Sequence, residues 1–211
     1  MDVTRTEEEQ IEALKKWWSD NGWALVGGVV IGLGAIFGWR GWQNHQALQA
    51  EVASDIYVDL VVEMREQRFE PARKFAEQLI QDYDSTSYAS FATLMLAKIE
   101  TEAGNTEAAI KHLQTVMDET GEAALKQIAR VRLARLLLDS DKPDEALAML
   151  EAGKPGKFSV AYQELKGDIY IRLGRKDDAH AAYQTALAAV KTNIKEGSLL
   201  QLKFDNSKSQ D

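Results

Sequence analysis

From Asn21 to Trp39 the sequence carries nineteen residues without a single charge. As an α-helix rising about 1.5 Å per residue the run is roughly 28 Å long, close to the thickness of a bilayer hydrocarbon core. The competing reading is a buried helix of a soluble core. Against it stand Gly27, Gly28, Gly32, Gly34 and Gly38, each of which weakens a helix in water by about 1 kcal/mol relative to Ala. In lipid that objection fades, because the backbone has no better hydrogen-bonding option than the helix. All the tryptophans of the chain, Trp17, Trp18, Trp23, Trp39 and Trp42, bracket the run at its two ends, as an interfacial belt does. The run therefore reads as a transmembrane helix.

A cleaved signal peptide has a short basic leader and a small-residue cleavage site. Here a Glu-rich segment of about twenty residues precedes the run, and Trp39, Arg40 and Trp42 follow it, so the span is expected to stay attached. Topology follows Lys and Arg near the two ends, not net charge. Arg5, Lys15 and Lys16 precede the span, whereas only Arg40 lies within the next twenty residues after it. The N-terminus is expected in the cytoplasm.

The remaining length is enough for one soluble domain with a real core. The formal net charge of −8 and the lack of any basic stripe argue against nucleic acid as a partner. With no cysteine, structural disulfides and a lipid-anchored thiol are excluded. The same absence suits an oxidising compartment without requiring one.

Ahead of the span, Ile11, Leu14, Trp17 and Trp18 recur at helical spacing, which predicts a short amphipathic helix that lies on the membrane, docks a partner or simply leads in. Inside the span, Gly28 with Gly32 and Gly34 with Gly38 have the small-xxx-small spacing that lets two helices approach closely in lipid; tolerance of glycine in membrane helices is the alternative. Beyond it, Leu48, Val52, Ile56, Leu60 and Met64 recur every four residues with no Pro before Pro71, predicting a long helix leaving the membrane.

From there to about residue 190 the pattern is helix after helix, and it repeats. In residues 96–113, 133–150 and 166–183 a small residue (Ala97, Ala134, Gly167) is followed seven positions later by a turn residue (Gly104, Asp141, Gly174), then by Ala109, Ala146 and Ala179, then by Leu113, Leu150 and Tyr183. Two helices joined by a tight turn cross closely only where small side chains meet, so each unit reads as a helical hairpin. Thr106 and Asp144 are candidate caps of the second helices. Ala72 lies 37 residues before Ala109, which places a degenerate hairpin ahead of the three. The pattern resembles the tetratricopeptide repeat over about residues 55–190, with Leu at most aromatic positions and a drifting period; an irregular helical bundle is the alternative. Stacked hairpins present an inner face suited to peptides or proteins. Leu199, Leu200, Leu202 and Phe204 form a last apolar segment able to cover the final hairpin.

No catalytic arrangement, cofactor loop or metal-ligand spacing stands out. His45, His112 and His180 are far apart, and Asp177 with Asp178 sits at a helix start, where carboxylates favour the helix dipole. The chain is expected not to be an enzyme.

The stretch QIEALKKWWSDNGWALVGGVVIGLGAIFGWRGWQNHQ (10–46), with RLARLLL (132–138) and LKFDN (202–206), is similar to the YfgM-like ancillary subunits of the bacterial SecYEG translocon. That resemblance implies an inner-membrane protein with a cytoplasmic N-terminus, one span and a periplasmic tetratricopeptide-like domain. It further implies association with the translocon, with a membrane-anchored periplasmic chaperone of the peptidyl-prolyl isomerase type, and with exported chains not yet folded. It carries over no catalytic residue. A self-associating structural membrane protein, or a periplasmic receptor or enzyme with an unrecognised site, remains the alternative. The expected fold is all-α: a cytoplasmic segment over 1–20, a transmembrane helix over 21–42, a helical-hairpin solenoid over 43–205 and a flexible tail over 206–211.

Overall fold

A computed structural model describes residues 7–190 and 194–208, with side chains for 9–190 and 199–208. Among these residues every regular element is helical: α1 Glu7–Arg65, α2 Phe69–Asp82, α3 Ser87–Glu102, α4 Thr106–Glu119, α5 Ala123–Asp139, α6 Pro143–Glu151, a 3-10 turn Gly156–Phe158, α7 Ser159–Arg172, α8 Lys176–Ala189 and α9 Ile194–Asn206. The fold is all-α, an apolar N-terminal helix followed by helical hairpins. Residues 1–6 of the expected cytoplasmic segment and Ser209 to Asp211 of the expected tail lie outside the described residues. Contacts divide the chain between Glu51 and Val52.

The lead-in, the span and the helix after it all belong to α1, 59 residues of α-helix. No proline interrupts the sequence before Pro71, so nothing in the backbone forces a break at Trp42. A core helix has to be covered, yet only 6 % of the most apolar stretch of α1 is buried. Val29, Val30, Ile31, Ile36 and Phe37 all face outward. An apolar helix left bare on every side is at home in lipid.

From Val52 onward the hairpins share one backbone device. Gln67, Gly104, Asp141 and Gly174 have φ of 57°, 78°, 58° and 74°, the left-handed conformation that ends a helix. The next amide of each turn closes a six-residue ring: Arg68 N to Glu63 O at 2.9 Å, Asn105 to Glu100 at 2.8 Å, Lys142 to Leu137 at 2.9 Å and Arg175 to Tyr170 at 2.8 Å. The chain is thereby reversed within three residues, and the partner helix starts at once. Thr106 and Asp144 do not cap: they lie inside α4 and α6, and none of α2, α4, α6 and α8 has a side-chain cap. The turn itself supplies the first helical acceptor, as when Asn105 O receives the amide of Ala109 at 3.1 Å. The side chain after the turn folds back over the preceding helix end: Arg68 onto Glu63 and Asn105 onto Glu100, with the Arg175 guanidinium 4.6 Å from the Tyr170 ring centroid.

Five residues beyond each turn stands an alanine, Ala72, Ala109, Ala146 or Ala179, with no exposed surface. Ala97 and Ala134 are buried on α3 and α5 within the core that also holds Leu113 and Leu150. Gly167 on α7 shows why that position is small: a Cβ there would lie 2.5 Å from Tyr183 Cδ1. The Tyr183 ring is buried and its hydroxyl donates to Asp168 Oδ1 at 2.8 Å, so it cannot swing away. Gly167→Ala is therefore expected to destabilise the repeats by about 2 kcal/mol, overpacking outweighing the better helix propensity of Ala. Urea melts check this, and an unchanged or raised midpoint would show that the α7–α8 crossing has slack.

Among the described side chains of α9, one face packs against the array. Leu200 is buried and Phe204 packs beside it on α8, while Leu199 and Leu202 remain exposed. Lys203 Nζ bridges Glu164 Oε1 at 2.7 Å and Asp168 Oδ2 at 2.8 Å on α7. Ser207 is also buried, 3.1 Å from His180 Nδ1.

Candidate protein-interaction surfaces

Two kinds of surface are built by these elements, one on each compact unit. On the apolar part of α1, Trp17, Trp18, Trp23, Trp39 and Trp42 are all exposed, Trp23 at 88 %. The indole of Trp18 covers Gly22, within 3.3 Å of where a Cβ would stand, and Asn21 Nδ2 donates to Trp17 O at 3.1 Å. Beside Gly28, Gly32, Gly34 and Gly38 there is open space within 4 Å. At 100° per residue, Gly28 and Gly32 fall on one face of the helix and Gly34 and Gly38 on another. Lys15, Lys16 and Arg40 are exposed at the ends of the run.

On the repeat unit, the first helices of the hairpins align at 37-residue offsets. Val58, Val61 and Arg65 on α1 match Met95, Lys98 and Glu102 on α3, which match Arg132, Arg135 and Asp139 on α5. Two cavities open along this face. One, of about 450 Å³, is lined by Val61, Met64, Phe69 and Met95 together with Arg65, Lys98 and Glu102. The other, of about 270 Å³, is lined by Lys98, Glu102, Arg132, Arg135, Leu136 and Asp139. They adjoin at Lys98 and Glu102. Among the described residues, Lys98, Arg132 and Arg135 form no ion pair with a carboxylate; Arg132 Nη1 donates to Leu94 O at 3.4 Å. The sequence shows no basic stripe because these cations come together only when hairpins stack.

The register of the first two hairpins is held by a charge that sequence reading did not single out. Glu100 on α3 is 6 % exposed. It accepts from Arg73 of α2 and, at 2.8 Å, from Asn105 Nδ2. These bonds, Arg73's first, hold its carboxyl below the ordinary value of 4.5. A depressed carboxylate stabilises the fold above its unfolded pKa, and that stabilisation is lost as pH falls through the folded value. Arg73→Gln is expected to cost about 3 kcal/mol at neutral pH and to flatten the loss of stability below about pH 4.5. Urea melts at pH 7 and in acid test this; an unchanged midpoint would mean that Asn105 alone satisfies the carboxylate. Neighbouring His112 is lowered by burial.

No group of three metal-ligating side chains converges among the described residues. His112 lies on α4, while His180 on α8 stacks on Phe204 at 4.1 Å.

The tetratricopeptide repeat-like domain family matches residues 15–209, which takes in both the apolar helix and the hairpins. An ancillary SecYEG translocon subunit of Escherichia coli (strain K12) is 30 % identical over 98 % of this chain and 98 % of its own length. One from Haemophilus influenzae is 35 % identical over 85 % of this chain and 88 % of its own. The chain belongs to the ancillary SecYEG translocon subunit family.

For this family member, the solved structure of a MamA double mutant, 17 % identical, superposes with a TM-score of 0.51 over 75 % of the chain and 86 % of that structure. At that identity the likeness speaks for the hairpin fold alone. The match to relatives along nearly the whole length takes in α1 as well as the hairpins, and the bare apolar helix is consistent with a membrane anchor.

Proposed function

We propose that this chain is a single-pass, inner-membrane interaction subunit that associates with the SecYEG translocon. Its N-terminus is cytoplasmic, its repeats are periplasmic, and it helps pass exported chains to a membrane-anchored chaperone of the peptidyl-prolyl isomerase type. It acts by binding, not by catalysis. The observation that carries this reading is the end-to-end match to relatives named as translocon subunits, with the bare apolar helix and the hairpins in one chain. Lys15 and Lys16 before the span, against Arg40 alone after it, support the orientation. The glycine pairs Gly28/Gly32 and Gly34/Gly38 serve lateral contact in lipid, and the hairpin face serves proteins outside it.

Isolation of a tagged chain from gently solubilised membranes is expected to bring translocon components and an isomerase-type chaperone with it. Recovery of the chain with itself alone would favour a structural self-associating role. A reporter fused after Asp211 is expected to be active only on the periplasmic side, with Lys15→Gln plus Lys16→Gln weakening that bias. Cytoplasmic activity of the unaltered fusion would overturn the orientation.

A further inference from the structure

Resting on the reading of the chain as a protein-interaction subunit, we infer that the face shared by α3 and α5 binds an extended protein segment with an apolar residue followed by carboxylates at three-residue intervals. The argument begins with charge. In a chain of net charge −8, a cationic ligand would find attraction over most of the surface, whereas an acidic segment needs a local exception. Lys98, Arg132 and Arg135 are that exception, exposed and, among the described residues, without carboxylate partners. Arg presents a fixed fork of donors that suits a carboxylate.

Spacing comes next. Lys98 and Arg135 occupy the same repeat position on helices in direct contact. Packed helices lie about 8–10 Å apart, and a chain in the extended polyproline II conformation has three residues per turn and rises about 3.1 Å per residue, so side chains three residues apart lie on one face and span the gap. The direction of the segment is set by repulsion. Glu102 and Asp139 stand one helical turn beyond the cations, roughly 6 Å along the axes, and they repel a carboxylate that slides toward the hairpin turns. The segment is thereby held across the helices and not along one of them. On the α1 side, the cavity walled by Met64 and Met95 adjoins Lys98 and receives the apolar side chain one further interval away.

The test uses the full chain in detergent micelles and a fluorescein-labelled peptide containing Leu-Gly-Ser-Asp-Gly-Ser-Asp, followed by fluorescence anisotropy. Binding is expected, with affinity falling roughly tenfold in Lys98→Gln/Arg135→Gln, the sum of two solvent-exposed ion pairs. It is also expected to fall when salt is raised to about 1 M, where the screening length shrinks to about 3 Å. Lys111→Gln on α4 should leave it unchanged. Lys98 and Arg135 are both exposed, so thermal melts of the double variant should match those of the unaltered chain. Equal binding of a twin peptide with Asn for both Asp, or undiminished binding by the double variant, overturns the inference, as does equally tight binding of single-stranded oligonucleotide. Translocon recovery is scored in parallel. A wild-type chain that recovers the translocon but ignores the peptide sinks this inference and leaves the proposed function standing.

Discussion

Ala146→Arg is expected to abolish the cooperative thermal transition of the repeat unit. Ala146 has no exposed surface and stands five residues past the left-handed turn at Asp141, where α5 and α6 come together. An arginine there must either bury an unpaired charge or push the two helices apart. Burial of an unpaired charge costs several kcal/mol, and a domain of this size has about 5–15 kcal/mol in total. Because each hairpin is supported mainly by its neighbours, loss of the α5–α6 crossing also removes the surface against which α4 and α7 rest. Circular dichroism melts of residues 44–211 provide the measurement, with Lys111→Gln as an exposed control expected within about 0.5 kcal/mol of the parent. A variant as stable as its parent would mean that the repeat alignment is misplaced at its tightest position.

Why this alanine could be found from sequence, and other residues could not, follows from what each one needs. A close crossing demands a small side chain at a fixed distance from the turn, so Ala109, Ala146 and Ala179 stand out by spacing. Gly104 and Gly174 announce their turns because glycine adopts positive φ freely. Gln67 has the same backbone conformation with no such signature, and only the 37-residue step from Ala72 to Ala109 pointed to its hairpin. Thr106 and Asp144 suit a cap by residue type, but after the left-handed turn the capping positions fall on Asn105 and Lys142. The Arg73–Glu100 tie joins residues 27 apart on different helices, and either alone looks like an ordinary surface charge. The same is true of Lys203, whose two carboxylate partners lie 35 and 39 residues away, and of the α3–α5 cations. Local periodicity carries information about helices and their turns; it carries none about which charges stacking will bring together.

Removing residues 1–43 is expected to weaken recovery of membrane partners far more than any single change on the hairpin face. The fragment from residue 44 keeps the whole compact unit that begins at Val52, so it should retain helical content and a cooperative melt. What it loses is confinement. Two proteins held in one membrane meet at a raised effective concentration, and such linkage strengthens weak contacts by roughly 10² to 10⁴ without any new interaction. Rim-type charge contacts of the kind available at Lys98 and Arg135 contribute only about 0.2–1 kcal/mol each, a few-fold in affinity, so the anchor outweighs them. The glycine faces separate anchoring from lateral contact. Gly28 and Gly32 have open space beside them, and Gly28→Leu with Gly32→Leu leaves the run long and apolar enough to insert while keeping a second helix at a greater distance. Crosslinking in intact membranes should then rank full-length chain above the double variant, and the double variant above the fragment. If the double variant equals the full-length chain, the span is a tether only; if the fragment does as well, partner recognition resides wholly in the hairpins and the weak-contact premise is wrong.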